Sequence, residues 1–304
     1  MQKNSQQEKG TCVALGNFDG VHLGHSTILH RCANEANKDG TISVAWSFRR
    51  HPEHILKGNF SSGNILSCKD KEEIIHSLGI HRLVLEDFER VRNYSPSEFC
   101  EKILLEKLYA RKVFCGFNFH FGKNGEGDSD FLKRYLEPRG VQVFISEPVI
   151  ALGDTVSSTR IRRLLGEGEV EEASALLGRP YFISFPVLHG RHLGTRIGFP
   201  TLNQAFPEEY VTPKKGVYAV RIRFDGKSYH GICNVGTRPT VEDEGRILAE
   251  THIFDFSDDL YGKEVRVEFF KFLRPETKFS SLEELKKQIE SDRLVALAFW
   301  KEMQ

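Results

Sequence analysis

Two histidines three residues apart, His22 and His25, follow the apolar run Thr11–Leu15 and the turn Gly16-Asn17-Phe18-Asp19-Gly20. An apolar run ended by glycines and followed by an amphipathic segment predicts a strand, a turn and a helix from about Val21 through Asn34. Such a helix offers unpaired N–H groups and the positive end of its dipole, which suits a phosphate. Both imidazoles would share one face of the first turn, Gly24 between them would leave room for a nucleotide, and Gly16 and Gly20 would let the backbone approach a bound group. Two imidazole donors could stabilise charge developing on an α-phosphate and a departing pyrophosphate without a covalent intermediate. GxxxxGK[ST] and GxGxxG are both absent, so this is neither a Walker loop nor a dinucleotide fingerprint. A structural histidine at a helix start is the plain alternative. The HxGH spacing directly after a strand and a glycine turn weighs against it.

Three further groups carry possible chemistry. In Val156-Ser-Ser-Thr-Arg-Ile-Arg162 the hydroxyls of Ser158 and Thr159 and the guanidinium of Arg162 open a helix and suit polyphosphate oxygens. Alone, a serine N-cap with solvated arginines explains them equally well. From His189 to Asn203, Gly190, Gly194 and Gly198 recur four apart without helical apolar periodicity, which favours a phosphate-wrapping loop. Thr201 and Asn203 then place two neutral oxygens on one side of an extended segment, suited to Mg2+ with ATP phosphates; a glycine-rich surface loop without ligand stays open. Glu250 starts a strand, where a lone carboxylate is usually solvated.

The elements that must position these groups divide the chain. Its 304 residues favour two domains. Up to about residue 180, apolar runs alternate with amphipathic segments, predicting strands at Thr11–Leu15, Ile42–Phe48, Arg82–Leu85, Lys112–Cys115 and Gln142–Ile145. The intervening helices are predicted at Lys69–Leu78, Ser95–Tyr109 and Ser129–Leu136, with two short ones at Thr159–Leu165 and Val170–Leu177. Strand-then-helix repetition means a parallel α/β sheet. From Tyr181 the chain reads in strands (Phe182–Leu188, Gly216–Phe224, Ser228–Val235, Ala249–Phe254, Glu264–Leu273) and ends in a helix, Ser281–Trp300. An antiparallel barrel is expected there because it exposes no edge. The expected domains are therefore 1–180 and 181–304.

Composition narrows the partners. Lys+Arg and Asp+Glu both number 42, so the basic excess of a phosphate-backbone binder is missing and nucleic acid is not expected. No apolar run reaches membrane-spanning length, and the polar N-terminal segment lacks a signal or transit pattern, so a cytoplasmic protein without membrane contact is expected. Six cysteines without a CxxC pair read as ordinary thiols. No feature specifies an oligomeric state.

Together the GNFDGVHLGH and SSTRIR segments, the GxxxGxxxGxPTLN loop and the later ETHIFDF and LRPETKF segments resemble, in order and over nearly the whole chain, the bacterial bifunctional riboflavin kinase/FAD synthetase family. The resemblance implies a nucleotidyltransferase-type, Rossmann-like domain that adenylylates FMN with ATP, giving FAD and pyrophosphate. It also implies a β-barrel kinase that phosphorylates riboflavin with ATP, with magnesium required. It implies His22 and His25 for the ATP phosphates, Ser158, Thr159 and Arg162 for the polyphosphate, and Gly16, Phe18 and Asp19 for the nucleotide turn. Asn118 falls in the flavin-side segment Gly116–Gly122, Thr201 and Asn203 become the metal and nucleotide ligands, Glu250 the base, and Arg274 a residue near the flavin. Asn118 stands where the family usually has Asp, His120 where it has Arg, Leu202 where it has Ala, Phe185 where Gly is common and Arg50 where Pro is expected. Other HxGH nucleotidyltransferases, cytidylyl- or pantetheine-phosphate enzymes among them, would not explain PTLN and ETHIFDF. A class I tRNA synthetase also uses HxGH, but this chain has neither a KMSKS-like segment nor a basic excess, and a regulator with residual motifs would not need both histidines, Thr201, Asn203 and Glu250.

Overall fold

The apolar run Thr11–Leu15 is buried along its whole length and forms β1, the middle strand of a five-stranded parallel sheet. The structure is a computed structural model that describes residues 10–50, 52, 55, 63–189, 198–237 and 246–303. Two compact units divide it, Met1–Ser158 and Thr159–Gln304. In the first, β1 is joined by β2 (Ile42–Phe48), β3 (Arg82–Glu86), β4 (Ala110–Gly116) and β5 (Gln142–Ser146) in the order β3-β2-β1-β4-β5. After β1 the chain builds outward through β2 and β3, then returns to place β4 on the other side. Strand order therefore reverses between β1 and β4, and the crevice beyond their carboxyl ends is where open α/β sheets bind ligands.

The helices of this unit are α1 (Leu23–Asp39), α2 (Cys68–Ser77), α3 (Phe88–Val91), α4 (Pro96–Phe99) and α5 (Ser129–Leu136), followed by a small hairpin of β6 (Ile150–Ala151) and β7 (Asp154–Thr155). The expected single helix Ser95–Tyr109 is α4 continued by a π-helical stretch, Cys100–Lys107. Its start is a capping box: Glu98 N–H donates to Ser95 Oγ (3.2 Å) and Ser95 N–H to the Glu98 carboxylate (2.9 Å). The wider turn stacks residues five apart, and two such pairs, Phe99/Leu104 and Ile103/Leu108, are buried in the core with Trp46 and Leu15.

In the second unit α6 (Ser158–Glu167), which begins on the last residue of the first unit, and α7 (Val170–Leu177) precede six strands: β8 (Tyr181–Pro186), β9 (Leu202–Ala205), β10 (Gly216–Phe224), β11 (Lys227–Thr237), β12 (Ile247–Ile253) and β13 (Glu264–Pro275). They form one antiparallel sheet, β8-β13-β10-β11-β12-β9. The seam between its outer strands is stitched from β9: the buried Gln204 amide donates to the carbonyls of Phe185 (2.6 Å) and Val265 (2.7 Å), and Leu188 N–H donates to Asn203 (2.8 Å). The sheet thus nearly closes, which protects its edges. Helix α8 (Leu282–Glu302), capped by Ser281, packs on β10, β11 and β13.

Two differences from the sequence expectation stand out. Leu202–Ala205, with only Leu202 and Asn203 expected as extended, at the end of the glycine loop, is strand β9. Four residues, two of them polar, carry no alternation signal; the strand exists because β12 supplies its ladder. The two short helices, expected with the parallel-sheet half, fall in the second compact unit except for Ser158: α7 packs on β8 and β13, and Lys214 N–H donates to the Leu165 carbonyl (2.9 Å).

Candidate functional sites

Beyond the carboxyl end of β1 the chain makes a turn in which two residues other than glycine, Phe18 (φ 48°) and Val21 (φ 38°), take left-handed backbone conformations. Such geometry is costly for bulky side chains and persists only where the surroundings impose it. Here they do. The Phe18 ring is fully buried, and a Cβ on Gly16 would come within 2.8 Å of it, so Gly16 makes room for Phe18. The buried Asp19 carboxylate accepts from Ile65 N–H (3.0 Å), and Ser158 Oγ donates to the Asp19 carbonyl (2.8 Å). Phe18, Asp19 and Ser158 therefore shape the turn through packing and main-chain bonds.

His22 is the N-cap of α1: its Nδ1 accepts from His25 N–H (3.3 Å). With Nδ1 accepting, the neutral ring carries its proton on Nε2. His25 stacks on His22, ring centres 3.6 Å apart and planes 17° apart, and meets the Phe18 ring edge-on at 5.4 Å. The expected shared face is therefore a stacked pair at the start of a helix beside the β1/β4 crevice. A Cβ on Gly24 would lie 3.2 Å from the His22 ring, so the glycine also admits the imidazole.

Across the crevice, Asn118 follows β4 and is exposed, as is His120. The alternating aromatics after β4 separate by burial. Phe121 is buried against Phe99, Phe119 stacks on Phe121 with centres 5.7 Å apart, and Phe117 is 47% exposed. Core packing thus accounts for Phe121 and much of Phe119, leaving Phe117 beside Asn118 as the apolar surface at this edge. Thr159 and Arg162 sit on α6, exposed and half-buried respectively.

In the second unit, strand register assembles a site that spacing alone did not show. Asn203 on β9 lies directly opposite Glu250 on β12, which lies directly opposite Asn234 on β11. Directly paired residues share a face, so the Glu250 carboxylate is flanked by two amide side chains, and Thr201 stands two residues before Asn203, just ahead of β9. Asn203 is 5% exposed and Glu250 half-buried. Thr201 and Asn203 offer hard neutral oxygens beside a carboxylate, a donor set that fits magnesium held together with nucleotide phosphates. Asn234 was missed as a site residue because only the pairing of β11 with β12 brings it to Glu250.

Leu202, bulkier than the alanine expected there, faces the other side with Gln204 and does not crowd this row. Phe185 packs edge-on against Phe206 and Tyr210. Two residues after Glu250, His252 donates Nδ1–H to the Pro200 carbonyl (2.9 Å) and meets the Phe199 ring edge-on, fixing the segment that leads into Thr201. Burial pushes its imidazole below the ordinary histidine value, partly offset by the hydrogen bond to the Pro200 carbonyl. Gly198 takes φ 87°, a conformation open to glycine. Gly190 and Gly194 lie outside the described residues.

Arg274 belongs to the same cross-sheet row, since Val217 pairs with both Asn234 and Arg274. Its guanidinium is engaged with Asp292 of α8 through Nε (2.8 Å) and Nη2 (2.8 Å), where the Asp292 side chain is only 5% exposed. This fork anchors α8 to the barrel. Arg274→Met leaves a buried carboxylate without its cation, and the second unit is expected to lose about 3 kcal/mol of stability in chemical denaturation. A loss below about 1 kcal/mol, the range of an exposed pair, would contradict the anchoring role.

Comparison with known proteins supports both halves. Residues 4–160 match the FAD synthetase family model and residues 177–300 the riboflavin kinase family model. Over 294 residues the chain is 36% identical to the bifunctional riboflavin kinase/FMN adenylyltransferase of Listeria monocytogenes, covering 96% of this chain and 93% of that one. Over 299 residues it is 33% identical to the protein of the same name from Bacillus subtilis, covering 97% and 94%. A crystal structure of a protein named as a macrolide-efflux protein from Streptococcus pneumoniae superposes with a TM-score of 0.84 at 30% identity, over 96% of each chain. Among the described residues of this chain no helix is long and apolar enough to cross a membrane. By these matches, and by the two sites that the fold assembles, the chain belongs to the bifunctional riboflavin kinase/FMN adenylyltransferase family.

Proposed function

We propose that the parallel-sheet half, expected as residues 1–180, adenylylates FMN, and that the barrel half, expected as 181–304, phosphorylates riboflavin, each consuming ATP. The observation that carries this division is that each compact unit holds its own constellation: the stacked His22/His25 pair at the β1/β4 crevice, and Glu250 between Asn203 and Asn234.

In the barrel, Glu250 accepts the proton of the ribityl hydroxyl as that oxygen attacks the γ-phosphorus. Thr201 and Asn203 hold the nucleotide phosphates with magnesium, which when bound neutralises their charge, while Gly190, Gly194 and Gly198 let the loop wrap them. In the parallel-sheet half, His22 and His25 donate to the α-phosphate and the departing pyrophosphate, Ser158, Thr159 and Arg162 serve the polyphosphate, and Gly16, Phe18, Asp19 and Gly24 shape the turn. The Asn118 edge, with Phe117, takes the flavin. Arg274 acts through its hold on α8. The reactions run in the cytoplasm on soluble substrates.

The test is a chromatographic time course of the purified full chain with riboflavin, ATP and magnesium. FMN should rise first and FAD follow; the absence of both products across a range of pH and magnesium concentrations sinks the reading.

A further inference from the structure

Lys71 is a buried cation that the reading above does not use. It lies in the first turn of α2 and is 7% exposed. Burial alone is costly for an ammonium and pushes its pKa below the ordinary lysine value. A helix start, with its positive dipole end, is also the wrong end for a cation. Among the described residues no carboxylate lies within ion-pair distance of it. Instead Nζ donates to the main-chain carbonyls of Asn17 (3.1 Å) and Phe48 (3.5 Å).

The Asn17 carbonyl is the informative partner, because Ser47 Oγ donates to it as well (2.9 Å). Two donors thus hold one carbonyl on the inner side of the turn. Among the described residues no peptide bond is cis, so the N–H of the same peptide, that of Phe18, points the opposite way. No described residue accepts that N–H. The left-handed φ of Phe18 and the buried Phe18 ring complete the same local arrangement.

Resting on the reading that this turn holds nucleotide phosphates, we propose that Lys71 is a positioning residue for adenylyl transfer: with Ser47 it fixes the Asn17–Phe18 peptide so that the Phe18 N–H faces the phosphates. A main-chain donor held in this way costs no reorganisation as charge develops on the phosphate. The unfavourable burial of the ammonium persists because the oriented peptide requires a strong donor beneath it.

Lys71→Met and Ser47→Ala test this in the full chain. Lys71→Met substitutes an apolar chain of similar volume and removes a charge that also acts at longer range on the buried Asp19 carboxylate, so the melting temperature is measured first to show that the variant is folded. Riboflavin phosphorylation should be unaffected, while kcat/KM for ATP in FMN adenylylation should fall roughly 100-fold, the size of a lost oxyanion donor. Ser47→Ala, which removes only the second donor, should lower it roughly fivefold. Lys71→Gln, which keeps a donor without the charge, should recover part of the Lys71→Met loss, a rescue that a merely space-filling lysine would not show. Adenylylation at the wild-type level in folded Lys71→Met overturns the proposal; if that variant does not fold, unchanged kcat/KM in Ser47→Ala does. The double variant His22→Ala/His25→Ala separates the two ideas. Should it retain adenylylation, the phosphate-site reading fails; should it lose adenylylation while the Lys71 and Ser47 variants keep it, only the present proposal fails.

Discussion

Glu250→Ala is expected to lower FMN formation from riboflavin by roughly 10³-fold or more in kcat, the range of a lost general base, while FMN supplied directly is still converted to FAD. The strand pairing explains the size of the effect. Glu250 stands between Asn203 and Asn234 on adjacent strands, and a carboxylate held between two amides on a paired sheet has little freedom to move. No neighbouring side chain in that row can take a proton, because both flanking groups are amides, which do not titrate. Glu250→Gln keeps the shape and the hydrogen-bonding capacity but loses the basicity, so it should be nearly as inactive as the alanine variant while binding ATP as well as wild type. If Glu250→Gln retained most of its activity, the base would have to be sought elsewhere.

The second large effect belongs to the other unit. His22→Ala with His25→Ala is expected to remove FMN adenylylation by roughly 10³-fold, as for loss of preorganised donors to a developing anion, and to leave riboflavin phosphorylation intact. The single variants should not be additive. Because His22 caps α1 and carries the stacked His25 ring, His22→Ala disturbs both imidazoles and the helix start, whereas His25→Ala leaves the cap acceptor in place. Adenylylation should therefore be lower in His22→Ala than in His25→Ala, and the double variant only slightly worse than His22→Ala. Isothermal titration with ATP separates a lost binding contribution from a lost rate contribution. Loss of both reactions in either single variant, in folded protein, would contradict two independent sites.

The sequence-level reading succeeded where one physical signal dominated. Strands β1 and β2 are buried nearly throughout, and β4 carries the buried apolar run Val113–Cys115; such runs have few other solutions. The capping box at Ser95 and Glu98 was legible because its two residues stand three apart and each side chain bonds the other's backbone. What failed to show was decided by partners far away in the chain. Strand β9 depends on β12, Asn234 joins Glu250 only through the β11–β12 register, and the engagement of Arg274 with Asp292 needs the final helix in place. Glycine roles were half legible: that Gly16 and Gly24 make room was readable, but for Phe18 and His22, rather than for nucleotide alone, was not. Lys71 gave no signal because an isolated lysine in a polar helix start looks solvated until its burial is seen.

Strand β13 lies between β8 and β10 in the sheet, yet it is the last strand of the chain. During synthesis the first unit can complete its sheet once β5 has emerged, whereas β8 waits for a neighbour made some eighty residues later. The barrel therefore has a high contact order and closes late, only after Glu264–Pro275 has left the ribosome. Messages or proteolytic fragments that stop short of Glu264 would yield a folded adenylylation unit attached to an incomplete barrel with open strand edges, a species prone to association. Quality control on this protein should accordingly act on its C-terminal half.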